Sequence, residues 1–310
     1  MTAAFFVFAH PFLESAFAAG TAIALASGLV GSVVVLRGQV FAGDAMSHVA
    51  FTGALAALAF GVDLRLGLYG ACVAFALLLA VLGRRAGADD TFIGSVFAWV
   101  LGLGALFLSV FTSSSSGTGG GTGGGATAGV TVLFGSILGL TGGQALIDAV
   151  VALVVVAGMV VVGRPLLFAS LDPAVAAARG VPVRALATGF FVLLGLTAGV
   201  ATQAVGALLL IGLLAAPAGA AQRLTARPYR ALWVSAALAV GSVWIGLTVA
   251  YVAPVVPPSF GILGVATGVY LATFAWSTAG RRPAGRRAGG TGRARTVEGG
   301  SDAPGAARAR

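Results

Sequence analysis

FAGDAMSHVAFTGALAALAFG, residues 41–61, is a run of small and apolar residues interrupted by one acid, one hydroxyl and one imidazole. Its length approaches the roughly 20 residues that a helix needs to cross the hydrocarbon core, so it reads as a membrane span with Asp44, Ser47 and His48 inside it. On a helix these three positions share one face. They draw on scarce material, because the 310-residue chain holds only nine Asp or Glu and two His. An ionisable side chain at the bilayer centre costs roughly 2.5–3.5 kcal/mol on insertion scales and therefore calls for a partner or a wet cavity. A carboxylate oxygen, a hydroxyl and an imidazole nitrogen suit a divalent first-row ion such as Zn²⁺ or Mn²⁺. Three ligands from one helix leave the coordination shell open, which fits passage better than storage. A second reading stays open: Asp44, following Gly43, N-caps the helix, and His48 is a lone polar residue near the interface.

The rest of the chain agrees with a membrane setting. Hydrophobic residues make up 58% and charged residues 9%, against roughly 45–50% and about 25% in soluble domains. Runs long enough to approach a span fall at about 13–36, 44–61, 64–83, 92–111, 145–163, 185–203, 205–221, 230–252 and 259–278. The expected fold is all-α, a polytopic membrane bundle of 8–9 transmembrane helices over residues 1–280. The segment VTVLFGSILGL (130–140) is too short to cross alone, and re-enters or extends its neighbour. The start, MTAAFFVFAHPFLESAFAAG, lacks the basic region of a secretory signal and is expected to be retained, with His10 and Glu14 near the interface.

No Lys is present, so all 18 cations are Arg, and their placement predicts sidedness. With the N-terminus outside, Arg65 alone falls outside, and the others become cytoplasmic. Small residues at four-residue spacing, such as Gly53, Ala57 and Gly61, Gly195 and Gly199, or Gly264 and Gly268, let helices approach closely in lipid. Pro217 is expected to kink or interrupt its helix. Cys72, the single cysteine, sits in an apolar run as a small hydrophobe and excludes an intramolecular disulfide.

Two segments break the apolar pattern. TSSSSGTGGGTGGGATAG (112–129) has the composition of a flexible linker, and its glycines cannot form a GxxxxGK[ST] phosphate loop in a chain without Lys. From Arg281 the chain becomes an Arg-rich cytoplasmic tail (281–310) with eight Arg against Glu298 and Asp302. It reads as a disordered, topology-setting tail or as one drawn to anionic lipid. No nucleic-acid module accompanies it.

The stretch SLDPAVAAARGVPVRAL (170–186) carries the signs of a short capped helix. Asp172 can N-cap, Pro173 suits the first helical position, Gly180 suits the position after the helix, and Pro182 prevents continuation. At roughly 1.5 Å per residue it is far too short to span and should lie at the surface. It is either an ordinary connection or a docking element for a cytoplasmic partner. Gln203 reads as satisfying backbone groups at a tight turn or as lining a pathway. Asp148 reads as interfacial, and Asp89 and Asp90 as offsetting Arg84 and Arg85.

Four of these stretches, in order, resemble the metal-ion permease family of ABC importers, the zinc/manganese/iron type known as ABC-3. GDAMSHV (43–49) is similar to the family's second-helix motif, VLFGSIL (132–138) to another signature, LDPAVAAARGVPVR (171–184) to its coupling segment, and QAVGALLLIGLLAAPAGAAQRLT (203–225) to its glutamine-glycine-proline stretch. The resemblance covers about residues 13–278 and implies a type II ABC importer-like permease. It further implies a permease homodimer, two cytoplasmic ABC ATPase subunits, an extracytoplasmic metal-binding protein and residence in the plasma membrane. It assigns metal contact to Asp44 and His48 with Ser47 beside them, and ATPase coupling to Asp172, Pro173, Arg179, Gly180, Val181 and Pro182. Gln203, Gly206 and Pro217 take pathway or structural roles. Thr52 departs from the family, which often has Pro there. Zn²⁺ or Mn²⁺, or Fe²⁺, is expected as the transported substrate, with no permanently bound cofactor and no catalytic residue in this chain. The rival readings are a gradient-driven secondary transporter or channel and, with no HExxH-like motif to support it, an intramembrane metalloenzyme.

Overall fold

The computed structural model describes residues 11–82, 90–115, 124–253 and 255–279. His10, Arg84, Arg85, Asp89, much of the Gly-rich stretch and the Arg-rich tail lie outside them. Every regular element among the described residues is helical. In chain order these are α1 (Pro11–Leu36), α2 (Val40–Ala59), α3 (Leu64–Leu82), α4 (Asp90–Ser115) and α5 (Gly124–Phe134), then a 3₁₀ turn (Ile137–Gly139). There follow α6 (Gly142–Leu171), α7 (Pro173–Ala178), α8 (Val183–Val205), α9 (Leu210–Leu224), α10 (Pro228–Val252) and α11 (Pro258–Ala279).

Seven helices, α1, α3, α4, α6, α8, α10 and α11, are long and apolar enough to cross a membrane. Asp44 and His48 dilute the hydropathy of the 20-residue α2, and α9 has 15 residues, so neither is among the seven. Both nevertheless pack among the other helices of the bundle, roughly consistent with the eight or nine crossings expected. The apolar window of α1 is 78% buried and that of α4 only 11%, which makes α1 the core helix and leaves α4 on the periphery. α1 packs on α6, α9 and α10, while α2 packs between α3 and α4.

Close helix approach rests on small residues. A Cβ on Gly28 would meet the Ala236 backbone of α10 at 2.6 Å, and one on Gly195 the Cys72 carbonyl of α3 at 2.9 Å. Gly53 faces Gly67 and Ala71, so α2 and α3 touch backbone to backbone. Polar side chains add cross-links where a hydroxyl has no water: Ser235 donates to the Gly28 carbonyl at 2.7 Å, and Ser259 to the Phe134 carbonyl at 2.6 Å. Not every spaced glycine takes part. Gly264 and Gly268 face open space, and Gly61 ends α2 in a left-handed turn at φ 69°.

The arginines segregate as the sequence predicts. Arg37 reaches Ser170 at 2.7 Å, Arg164 stacks over Tyr229, and Arg223 stacks over Tyr270 and Phe274, all toward the end where α1, α6, α9 and α11 finish. Arg179, Arg184, Arg227 and Arg230 lie in the connections and first turns at that same basic end. Burial lowers the affinity of Arg37 for its proton, though a guanidinium stays protonated in proteins. Arg65 alone among the described arginines begins a helix at the opposite end.

Three expectations about boundaries change. The predicted linker is helical over 112–115 and from Gly124 onward, so α5 occupies part of it. The run expected at 145–163 continues through Arg164 and Pro165 to Leu171. Pro217 lies inside α9 without ending it.

Candidate metal-transit site

α2 starts at Val40 because Arg37, Gly38 and Gln39 form the turn after α1, with Gly38 at φ 67°. Gln39 is therefore the N-cap, and Asp44 falls in the second turn. The capping alternative for Asp44 fails on this register: its carboxylate is past the orphan backbone N–H groups that a cap satisfies. Asp44 and His48 are one turn apart on the same face, both half-buried, while Ser47 is fully buried. The Ser47 hydroxyl donates to the Asp44 carbonyl at 2.6 Å, a bond inside the helix. The imidazole of His48 makes an edge-type contact with Phe97 of α4, with ring centroids 5.2 Å apart, and Phe41 makes another with the same Phe97 ring at 5.7 Å.

Among the described residues neither the Asp44 carboxylate nor the His48 ring has a hydrogen-bond or ion-pair partner. No group of three His, Cys, Asp or Glu side chains is gathered there either. One acid and one imidazole thus share a helix face with no polar partner among the described residues. Behind them the helix is held firmly. Thr52 donates to the Val100 carbonyl of α4 at 3.2 Å, and Leu214 of α9 packs over Gly43.

The stretch 171–184 forms the capped element its residues specify. Asp172 accepts from the Val175 N–H at 3.0 Å, Pro173 is the first helical residue, and Gly180 has φ 77°. Val181 N–H bonds the Ala176 carbonyl at 3.1 Å and Gly180 N–H the Ala177 carbonyl at 3.0 Å, the paired bonds of a Schellman stop. Apart from buried Ala176, α7 is exposed at the basic end, with Leu171 and Val175 turned outward.

Two other motif stretches, distant in sequence, meet in space. Gly135 (φ 72°) and Gly206 (φ 98°) press backbone on backbone: a Cβ on Gly135 would meet the Gly206 nitrogen at 2.5 Å. Ser136 N–H bonds the Gln203 carbonyl at 3.1 Å, and Ala207 and Leu208 N–H bond Val132 and Leu133 carbonyls at 3.3 Å. The end of α5 is thereby laced to the α8–α9 turn, which contains Gly206. Pro217 is buried in α9 on the bundle side of that turn.

Asp148 differs from its expected interfacial place. It is fully buried in α6, where it accepts from the Tyr69 hydroxyl at 2.8 Å and lies 3.5 Å from Arg65, which also reaches Gln203 at 3.4 Å. Phe97 and the Arg65–Asp148 pairing are what residue-by-residue reading missed. The second had a signal, since both charges fall near the same predicted end with opposite signs.

A bundle with seven helices long and apolar enough to cross a membrane, with Asp44 and His48 one turn apart on α2 and an exposed capped segment at its basic end, has the architecture of a polytopic membrane permease. The chain belongs to the ABC 3 transport family, whose model matches residues 9–277. It is 28% identical over 244 residues to the manganese transport system membrane protein MntC of Listeria innocua, covering 78% of this chain and 83% of that protein. It is 29% identical to the manganese import system permease protein ScaB of Streptococcus gordonii, covering 77% and 82%. A probable iron transport system membrane protein of Haemophilus influenzae is 27% identical over 77% of this chain and 84% of its own length. Among solved structures, PsaBC from Streptococcus pneumoniae in complex with Fab superposes with a TM-score of 0.74 at 25% identity, covering 88% of this chain and 95% of that one.

Proposed function

We propose that this chain is the membrane-spanning permease subunit of an ATP-driven importer for divalent transition metal ions, with Mn²⁺ or Zn²⁺ as substrate. The observation that carries the reading is the state of Asp44 and His48: one turn apart on α2, half-exposed, and without a protein partner among the described residues. An acid in a membrane helix that is not paired within the protein calls for a ligand or water. Oxygen and imidazole donors fit these ions, and the manganese systems among the relatives favour Mn²⁺.

The ion is cargo, so its site must bind weakly enough to release it. Two ligands from one chain give such a site, and a second copy of the chain presenting its own Asp44 and His48 across a shared axis would complete the shell during transit. Ser47 contributes by fixing the local helix, since it is fully buried and its hydroxyl donates to the Asp44 carbonyl. Phe97 holds the His48 ring in place of the hydrogen-bonded carboxylate that usually orients a metal-binding histidine.

Energy comes from separate ATPase subunits, two per permease dimer. The chain offers them α7 and its flanks, from Asp172 to Pro182, as the docking element, with Arg179 and Val175 on the exposed surface. On this reading the basic end and the Arg-rich tail are cytoplasmic, and the opposite end receives metal from an extracytoplasmic binding protein. Gln203, Gly206 and Pro217 shape the wall that moves between the two openings.

The test is ATP-driven uptake into vesicles holding the reconstituted complex. Asp44→Ala and His48→Ala are each expected to abolish uptake of Mn²⁺ while the complex still assembles. Wild-type uptake in both variants overturns the site, and competition among Mn²⁺, Zn²⁺ and Fe²⁺ ranks the substrates.

A further inference from the structure

At the end away from the other described arginines, one guanidinium joins three helices. Arg65 and Tyr69 belong to the first turns of α3, Asp148 to the second turn of α6, and Gln203 to the last turn of α8. Arg65 lies 3.5 Å from Asp148 Oδ2 and 3.4 Å from Gln203 Oε1, and its side chain is 14% exposed while that of Asp148 is fully buried. It is the ion pair found among the described residues. Beside it opens a cavity of about 320 Å³, whose walls include Arg65, Leu68, Ser136, Gln144 and Gln203.

The position of these helices gives the pair a meaning. At the basic end α6 and α8 are the two arms joined by α7, and at this end both arms are gripped by α3. α3 in turn is tied to α2, the helix of Asp44 and His48, by the four-residue turn 60–63 and by the Gly53–Gly67 contact. For stability alone, apolar residues of similar volume would serve such a buried position as well or better. The contacts are also looser than the 2.8 Å bond from Tyr69, and Asp148 Oδ2 and Gln203 Nε2 have no hydrogen bond. A contact of this kind holds when closed and can part at the edge of a cavity where water is at hand.

We propose that Arg65, Asp148 and Gln203 form a releasable clasp between the α2–α3 hairpin and the α6–α7–α8 unit, and that its parting opens the mouth of the bundle at this end. Arg65 is a positioning residue in this scheme and touches no cargo. The purpose of the clasp rests on the permease reading above, whereas its closing and opening can be measured without any metal.

The experiment uses the full chain in lipid nanodiscs, open to reagent from both ends, with Cys72→Ala and a reporter Leu68→Cys in the cavity wall, a position fully buried in the closed state. Labelling by a hydrophilic maleimide is expected to be about fivefold or more faster in Arg65→Met and Asp148→Asn. Arg65→Lys, which keeps the charge, should stay close to the parent. The double variant Arg65→Gln/Asp148→Asn leaves no orphan charge and puts no apolar packing in place of the pair, so it decides the matter if a single variant fails to fold. Fast labelling of a folded double variant supports the clasp, whereas labelling at the parent rate overturns it, even if the single variants label fast. Failure of wild-type metal uptake would instead remove the permease reading and leave the labelling result standing.

Discussion

Asp44 with His48 on α2, and Asp148 with Arg65 between α6 and α3, are each an acid set beside a nitrogen base inside an apolar bundle. Asp148 is fully buried, accepts a 2.8 Å hydrogen bond and faces a guanidinium from another helix. Asp44 and His48 are half-exposed on one helix face and partnered by nothing polar among the described residues. Burial of a charge demands compensation within the protein, which Asp148 receives from Tyr69 and Arg65. Incomplete burial without compensation leaves capacity for a ligand from outside, which the proposed transit site requires. The difference between the clusters lies in who satisfies each carboxylate: the protein itself at Asp148, and nothing polar among the described residues at Asp44.

The comparison breaks most sharply if the two clusters respond alike to substitution. Asp44→Ala or His48→Ala should bring metal uptake to background, a loss of at least about tenfold, with no change in thermal unfolding of the detergent-solubilised chain. Asp148→Ala should instead lower stability. Removing one partner of a buried pair costs about 3–5 kcal/mol, so this variant is expected to melt earlier or accumulate poorly. Fluorescence-detected gel filtration after heating, run beside a radiotracer uptake assay, separates the two outcomes. A stable Asp148→Ala would show that the buried pair does not hold these helices together and would remove the contrast.

A smaller effect is expected at the surface of the basic end. Asp172→Ala removes the side-chain cap of α7, worth about 1 kcal/mol, while leaving both charge clusters intact. Fraying of so short a helix should weaken docking of the ATPase, read as lower ATP hydrolysis at fixed subunit concentration. Asp172→Asn, also a good cap, should retain it. If Asp172→Asn were as damaged as Asp172→Ala, the carboxylate charge itself would be the contact.

How much of this could be read from residues alone depends on how local the cause is. α7 was legible to the residue, because Asp172, Pro173 and Gly180 act through backbone atoms a few positions away. The spans were legible from apolar runs, and the asymmetry of arginine from their flanks. The start of α2 was less so: Gly38 and Gln39 turn the chain earlier than the apolar pattern suggests, and this four-residue shift removes Asp44 from the cap. Partnership across helices was the least legible. Arg65 and Asp148 are 83 positions apart, and nothing short of their shared end hints that they meet. The meeting of Gly135 with Gly206 has the same character, since each glycine is needed for the other's backbone.

The smallest expected effect probes why an open site can sit on a rigid helix. α2 is fixed on one side by the Gly53–Gly67 contact with α3 and on another by the Thr52 hydroxyl, which reaches the Val100 carbonyl of α4 at 3.2 Å. Thr52→Val keeps the shape and removes that hydrogen bond, a change of about 0.5–1.5 kcal/mol. His48 lies one turn before Thr52 and rests on Phe97, which belongs to the same α4. If α4 is held to α2 chiefly by this hydroxyl, its loss should weaken apparent metal affinity modestly with little effect on the maximal uptake rate. If packing alone holds α4, both parameters should stay at wild-type values and the melting temperature alone should fall. Either result bears on the open cluster only, because Thr52 touches neither Arg65 nor Asp148, and any change in Leu68→Cys labelling in this variant would mean that the two clusters are mechanically joined through α2.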